Sequence, residues 1–327
     1  MDVLGKGAHS VVFVDEQNPD IVIKEQLNKA DDFGWLDRQK RGYNIVKEIQ
    51  QKNSDIGVGL PELIEVEDRD DKGIIREKRL FGKTFASDEN MYWKLSEKTK
   101  NDIAKQMAKF LNAMHSSYDC NLPNNSIKEV FDKFKCGLNT ADDIIAKFNG
   151  KLPENIKSKL QEVEQYILNM DMSDEYIVMT HKDLRINNIL YDDKTNKISV
   201  IDFELAGMDN VYRDFVAAAP ASYMPWNFTE RVIKFYNEIP HKKYPIVIDV
   251  QKVQNMLFYG SMHEYARCVE FIKSGLTEQY FNTLYKNLER VSGISLIKNA
   301  MFKNAIKMLK QNVEGVFIAD SMKKSLE

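Results

Sequence analysis

Two short segments of the chain combine residue types that can carry chemistry. Residues 181–188 read HKDLRINN, and Asp202 follows fourteen residues later, after an apolar run. With only five histidines in 327 residues, we expect this His-x-Asp-x4-Asn pattern by chance far less than once in such a chain. Phosphoryl transfer needs a carboxylate to orient and deprotonate the attacking hydroxyl, and metal ions to neutralise charge on the phosphates. Asp183 fits the first role, and Asn188 and Asp202 can supply hard oxygen ligands to Mg²⁺.

A second candidate segment lies near the N-terminus. Residues 5–12 (GKGAHSVV) match a Gly-x-Gly-x-x-Gly-x-Val pattern, except that Ser10 replaces the third glycine. A Gly-x-Gly pair by itself is a weak signal, because most such pairs are plain turns. This one joins two β-rich runs and precedes Lys24, as a phosphate-covering loop and a phosphate-pairing lysine should. We therefore predict that Gly5, Gly7, Ser10 and Lys24 bind the nucleotide.

The elements that must position these segments change character after residue 82. Short β-rich runs around one helical segment predict a small five-stranded antiparallel sheet with one helix. Long helical segments follow, interrupted by a strand-rich island over residues 176–203. The hairpin in this island should hold Asn188 and Asp202 at a fixed separation. We predict helices at residues 31–52, 99–115, 125–148, 154–170, 228–239, 250–274 and 278–311.

These motifs resemble those of the protein-kinase-like phosphotransferases, and within them the aminoglycoside phosphotransferase and choline kinase branch. Glu204 stands where protein kinases carry Gly after Asp-Phe, and residues 212–215 (YRDF) resemble the aspartate motif that follows in this branch. The resemblance implies an α+β, bilobal protein-kinase-like fold. The N-lobe, residues 1–82, would be a small antiparallel β-sheet with one helix. The C-lobe, residues 83–327, would be mostly α-helical.

The same resemblance implies ATP and Mg²⁺ as cofactors. It makes Asp183 the catalytic base, Asn188 and Asp202 the metal ligands, and His181 an organiser of the loop. Residues 76–80 fall where an adenine-contacting hinge is expected. Glu77 is included as a nucleotide contact through its backbone, and the charged side chains of this segment are expected to be solvated.

One feature of the resembling family has no obvious match. There the lysine pairs with a helix glutamate that precedes apolar positions at +3, +4 and +7. Here Ile45, Val46 and Ile49 occupy those positions and place the partner at Gly42, whereas Glu48 lies on a different face of the helix. The sequence leaves the partner of the lysine open.

The composition and net charge of the chain argue against nucleic acid and membranes as partners. The 46 Lys and Arg residues against 49 Asp and Glu residues give a formal charge of −3, which supplies no general attraction for nucleic acid or anionic lipid. The chain has no apolar run of membrane-spanning length and no signal-peptide pattern. Its three cysteines, at wide spacing, disfavour a disulfide framework or a zinc site and predict free thiols in the cytoplasm. The oligomeric state stays open.

The function expected from these residues is transfer of the γ-phosphoryl group of ATP to a hydroxyl of a small molecule, with amino sugars and amino alcohols as one candidate class. Asp209, Asp214 and Glu204 would favour a cationic acceptor if they faced its pocket. Lys182 and Arg185 make the loop more like that of a protein kinase, so a protein serine/threonine kinase is the alternative. A nucleotide-binding protein without catalysis is the third reading.

Overall fold

The computed structural model describes residues 3–6, 9–29, 32, 34–85, 91–118, 140–147, 154–169, 176–216, 226–241 and 244–256. The predicted helix at 278–311 lies outside the described residues, as does most of the helices predicted at 125–148 and 250–274. All three cysteines also lie outside them.

The chain begins with a five-stranded antiparallel sheet in the order β1-β2-β3-β5-β4. The strands are Val3–Lys6 (β1), Ser10–Val14 (β2), Ile21–Gln26 (β3), Leu63–Asp68 (β4) and Gly73–Lys78 (β5). Side chains of Asp15 and Asn18 accept backbone N–H groups in the β2–β3 turn, as turn-forming residues do. The predicted sheet is confirmed, and Lys24 lies in its central strand, paired with Val12 and Ile75.

Helix α1 (Trp35–Lys52) packs on this sheet with its first turn and on the remainder of the protein with its last turns. Trp35 contributes to a small cluster with Ile75 of β5. Ile49, in contrast, belongs to the main core, whose members come mostly from residues after 84. The helix therefore links the two halves of the molecule, and the proposed division at residue 82 stays a prediction.

Two small sheets carry the 181–188 loop. One contains β6 (Lys83–Thr84), β8 (Ile189–Asp192) and β9 (Lys197–Val200), in the order β6-β8-β9, and the other pairs β7 (Ile177–Thr180) with β10 (Gly207–Asn210). The loop connects β7 to β8. The strand predicted to run to residue 203 ends at Val200, because Asp202 adopts a left-handed backbone conformation and a 3₁₀ turn begins at Phe203.

Helices pack around these sheets. They are α2 (Met91–Lys94), α3 (Glu97–His115), α4 (Ala141–Lys147), α5 (Glu154–Leu168) and α6 (Trp226–Glu238). Helix α3 begins with an N-cap, in which the Ser96 side chain accepts the N–H of Thr99. Its buried face contacts α6 in the main core. The architecture is the predicted α+β arrangement of a small antiparallel sheet with one helix followed by a mostly helical part. Among the described residues, no helix combines the length and apolar character needed to cross a membrane.

Candidate active site

Asp214 fixes the start of the 181–188 loop. Its carboxylate accepts the backbone N–H groups of His181 and Lys182, each at 3.0 Å, and Lys182 has a left-handed φ of 65°. Nε2 of His115 lies 3.3 Å from the same carboxylate, and both side chains are fully buried. Burial raises the pKa of Asp214, but the hydrogen bonds and charge of its partners outweigh that effect, so the pKa lies below its usual value. An ionised, buried carboxylate thus anchors the loop.

His181 joins the loop to the turn at residues 202–204. Its Nδ1 accepts the backbone N–H of Asp183 at 3.3 Å, which leaves Nε2–H to donate to the carbonyl oxygen of Ile201 at 3.0 Å. The ring also packs against Phe203, with 4.6 Å between ring centroids. His181 therefore organises both segments.

Asp183 is 6% exposed, and two side chains of its own loop hold its carboxylate. Nη2 of Arg185 donates to Oδ2 at 2.6 Å, and Nε lies 2.5 Å from Oδ1 without the alignment of a hydrogen bond. Nδ2 of Asn188 donates to Oδ2 at 2.8 Å and to the Asp183 carbonyl oxygen at 2.9 Å. Because the amide nitrogen of Asn188 faces Asp183, its amide oxygen faces away.

Lys24 and Asp202 meet although they lie 178 residues apart in the chain. Nζ of Lys24 is 2.8 Å from Oδ1 of Asp202, whose backbone has φ 68° and ψ 63°. Non-glycine residues in this conformation are uncommon and concentrate at functional sites. Burial raises the pKa of Asp202, but the charge and hydrogen bond of Lys24 outweigh it and hold the pKa below its usual value.

The helix partner of Lys24 is Gln39, not a residue at position 42 or 48. Oε1 of Gln39 accepts from Nζ of Lys24 at 3.2 Å. The apolar spacing pointed to position 42, one helical turn after Gln39. Gly42 instead packs against the backbone of Phe203. A Cβ at Gly42 would lie 2.7 Å from the carbonyl oxygen of Phe203, so only glycine lets the helix approach the turn this closely. Glu48 is half exposed and lies 3.4 Å from Lys52.

Glu204 lies on the far side of Gln39. Its Oε2 accepts from Nε2 of Gln39 at 2.9 Å and is 3.8 Å from Nε of Arg38. Burial raises the pKa of Glu204, and the nearby charge of Asp202 raises it further. Lys24, Gln39, Asp202 and Glu204 thus form one connected group, which we call the lysine cluster.

The side chain of Glu77 is half buried and hydrogen-bonded, so the expectation of solvated side chains is wrong for this residue. The hydroxyl of Tyr43 donates to Oε2 of Glu77 at 2.5 Å, and burial raises the pKa of that carboxyl. Glu77 pairs with Val22 of β3 and Leu63 of β4. The charges of Lys24 and Asp202, two members of the lysine cluster, also act on this carboxyl group.

The glycine-rich segment is described in part. Gly5 is exposed in β1, opposite Val12 of β2, and Ser10 is buried at the start of β2. Gly7 lies outside the described residues. The nucleotide contacts of these three residues stay predictions.

The carboxylates expected to favour a cationic acceptor all have internal partners. Asp214 braces the loop, Glu204 belongs to the lysine cluster, and Asp209, which is 5% exposed, lies 3.7 Å from Nζ of Lys182. Their charges are engaged inside the fold, so they carry no argument for a cationic acceptor.

Sequence reasoning missed two residues. Gln39 gave no signal, because glutamine on a helix is ordinarily a solvated residue. His115 is fully buried, with its Nε2 3.3 Å from Oδ2 of Asp214 and its Nδ1 2.9 Å from the hydroxyl of Tyr236. Only contacts between distant segments reveal these two roles.

The possible metal ligands at this site suit Mg²⁺ better than a metal ion whose ligands all come from the protein. The described residues contain no group of three or more His, Cys, Asp or Glu side chains that could hold a metal ion. The carboxylate of Asp202 and the amide oxygen of Asn188 could serve as hard ligands there. Mg²⁺ commonly binds through one or two such protein groups and completes its shell with phosphate oxygens and water.

A comparison with known families decides the assignment. Residues 58–241, more than half of the chain, match the model of the family described as the phosphotransferase enzyme family. The chain belongs to this family. The matched region of this phosphotransferase includes the 181–188 loop, Asp202 and Asp214, whereas Lys24 and Gln39 precede it.

Several solved structures are similar to this phosphotransferase. A thermostable mutant of aminoglycoside phosphotransferase APH(4)-Ia, in complex with ADP and hygromycin B, is 12% identical, with 90% of this chain and 93% of that chain covered and a TM-score of 0.48. Ethanolamine kinase from Plasmodium vivax is 15% identical, with 89% and 81% covered and a TM-score of 0.44. Aminoglycoside phosphotransferase APH(3'')-Id from Streptomyces rimosus is 15% identical, with 78% and 89% covered and a TM-score of 0.44.

Proposed function

We propose that this phosphotransferase transfers the γ-phosphoryl group of ATP to a hydroxyl of a small molecule, with Asp183 as the general base. The observation that carries the proposal is the fixed geometry of the Asp183 carboxylate, which is nearly buried and held by Arg185 and Asn188. A general base must lie ready to accept a proton within hydrogen-bond reach of the acceptor hydroxyl. Membership of the family supports the reaction class, and it does not favour the protein-kinase alternative.

In this proposal the remaining residues bind and orient the nucleotide. Lys24 binds phosphate oxygens from the central strand of the first sheet, and Gly5, Gly7, Ser10 and the backbone of residue 77 surround the nucleotide. Asp202 and Asn188 would hold Mg²⁺, which neutralises charge on the phosphates when bound.

The proton path uses residues of the 181–188 loop. The acceptor hydroxyl gives its proton to an oxygen of Asp183 as its oxygen bonds to the γ-phosphorus, and ADP leaves with the electron pair of the broken bond. Asn188 fixes the carboxylate from one side, and Asp214 holds the loop backbone in place. A cytoplasmic site of action is part of the proposal, because ATP and the three widely spaced cysteines suit that compartment.

One assay tests the proposal and separates its alternatives. The protein is incubated with radiolabelled ATP and Mg²⁺ and with a panel of amino sugars, amino alcohols, neutral sugars, nucleosides and crude cell protein. We expect label to appear on a small hydroxyl compound and to be lost in Asp183→Asn. Label on protein bands that is lost in Asp183→Asn would support the protein-kinase alternative instead. Tight nucleotide binding with no transfer to any acceptor or to water would support the third reading.

A further inference from the structure

Gln39 lies between two carboxylates and an ammonium group in the interior of the lysine cluster. It is 3% exposed, although it is an uncharged polar residue on a helix. Burial of a side-chain amide costs free energy unless its donors and acceptor are satisfied. Here each end of the amide faces a charge of the appropriate sign.

The two ends of this amide have different partners. Its oxygen accepts from Nζ of Lys24 at 3.2 Å, and its nitrogen donates to Oε2 of Glu204 at 2.9 Å. A carboxylate at this position could accept from Lys24, but it would have no hydrogen to give Glu204 and would repel it. The amide therefore suits the position because it presents an acceptor and donors at the two ends of one planar group.

Glu204 is in turn fixed to the helix. Its carboxylate lies 3.8 Å from Nε of Arg38, whose Nη1 also donates to Asp32 at 3.0 Å. Its backbone carbonyl accepts from Nη2 of Arg41 at 3.1 Å. The Glu204 side chain thus contacts the helix at Gln39 and Arg38, and its backbone contacts the helix at Arg41.

We propose that Gln39 is the positioning residue for Lys24 and that Glu204 orients the Gln39 amide for this task. This inference rests on the proposed function, because it takes Lys24 as the cation that binds the nucleotide phosphates. Glu204 then acts on an amide of the protein and not on the acceptor.

A charge exchange between positions 39 and 204 tests the proposal. Affinity for Mg·ATP is measured by calorimetry for the unchanged protein, Gln39→Glu, Glu204→Gln and the double variant. We expect Gln39→Glu to raise Kd about tenfold, because two carboxylates then face each other. Glu204→Gln keeps an acceptor oxygen for Gln39 and should raise Kd less than about threefold. The double variant should return to within about threefold of the unchanged protein, because the carboxylate introduced at position 39 can then accept from both Lys24 and the amide introduced at position 204.

Controls separate this inference from the proposed function. Gln50→Glu places the same change on an exposed position of the same helix and should leave Kd unchanged. Gln39→Ala, which adds no charge, should also raise Kd and serves if Gln39→Glu does not fold in a urea titration. Two results would overturn this inference alone, provided that the unchanged protein binds Mg·ATP normally. One is that the effects of the two single substitutions add in the double variant. The other is that neither Gln39→Glu nor Gln39→Ala changes Kd. Failure of the unchanged protein to bind Mg·ATP would overturn the proposed function, and the role of Gln39 with it.

Discussion

Arg185 and Asp183, two residues apart in the chain, form a two-point ion pair at the centre of the candidate active site. Nη2 donates to Oδ2 at 2.6 Å, and Nε lies 2.5 Å from Oδ1. Only Nη2 has the alignment of a hydrogen bond, but the guanidinium contacts both oxygens of the carboxylate. This pair sets the orientation of the carboxylate that we propose as general base.

Arg185→Ala should lower kcat about tenfold or more and should change the KM for ATP much less. The reason is that, among the described residues, Asn188 would then be the one side chain that still donates a hydrogen bond to the Asp183 carboxylate. A misplaced catalytic group loses rate more than binding. The kcat of Arg185→Lys should lie between those of the unchanged protein and Arg185→Ala, because lysine keeps the positive charge but cannot contact both carboxylate oxygens as the planar guanidinium does. Steady-state kinetics measure the split. Arg69→Ala, on the exposed β4–β5 hairpin, is the matched control, and an unchanged kcat in Arg185→Ala would contradict the positioning role.

Asp183→Asn should reduce turnover by about 10² to 10⁴-fold and leave Mg·ATP affinity nearly unchanged, because general-base contributions are of this size and the side chain keeps its shape. Turnover assays and calorimetry on the same preparation check both statements. Asp193→Asn, on the exposed β8–β9 turn, is the control. If Asp183→Asn kept more than about a tenth of the rate, Asp183 would not be the general base.

Asp202→Asn should weaken the dependence of ATP affinity on Mg²⁺. Its carboxylate is the only charged member of the donor pair that we propose for the metal, and an amide is a weaker ligand for a hard cation. Calorimetry of ATP binding with Mg²⁺ and with a chelator measures this dependence. We expect a large gain of affinity with Mg²⁺ in the unchanged protein and a small gain in the variant. An equal gain in both would show that Asp202 does not hold the metal.

Gly42→Ala should lower the free energy of unfolding by about 1 to 3 kcal/mol, since its Cβ would lie 2.7 Å from backbone oxygen and 2.8 Å from backbone carbon of Phe203. Backbone atoms of a packed turn cannot move aside as the end of a flexible side chain can. Urea denaturation measures the change. Gly5→Ala, which meets no atom within 4 Å, should change stability by less than about 0.5 kcal/mol. Equal stability of both variants would mean that helix α1 does not approach the turn so closely.

Asp214→Asn should destabilise the protein by about 3 kcal/mol near pH 7, because it removes a buried carboxylate that contacts His115 and weakens the acceptor for two backbone N–H groups. The pKa of Asp214 is lower in the folded protein than its ordinary value of 3.8. Its ionisation therefore contributes stability that is fully present above about pH 4 and is lost as the pH falls through the folded-state pKa.

The difference between the unchanged protein and Asp214→Asn should accordingly shrink as the pH is lowered from about 4 towards the folded-state pKa. Chemical denaturation over this range gives the two free energies of unfolding at each pH. Asp193→Asn is the control, because it measures the effect of the same substitution at an exposed aspartate. A difference that stayed constant over the range would mean that Asp214 is not ionised in the folded protein.

The sequence by itself determined the strands of the first sheet, helix α1 and the spacing of the 181–188 loop to Asp202. These features are local: alternation of apolar residues, turn residues and a motif of eight residues each depend on neighbours in the chain. The roles proposed for Asp183, Asn188 and Asp202 were predicted from the same local motif. The helix beginning at Trp35 rather than residue 31 changes none of these assignments.

The tertiary structure alone decided which helix residue meets Lys24. Apolar spacing pointed to Gly42, but close packing of α1 on the carbonyl of Phe203 requires a glycine there and puts Gln39, one turn earlier, beside the lysine. The same holds for His115, whose bond to Asp214 spans 99 residues. Sequence patterns show which face of a helix is buried. Which residue on that face meets a given charge depends on how closely two segments pack, and that depends on side chains far away in the chain.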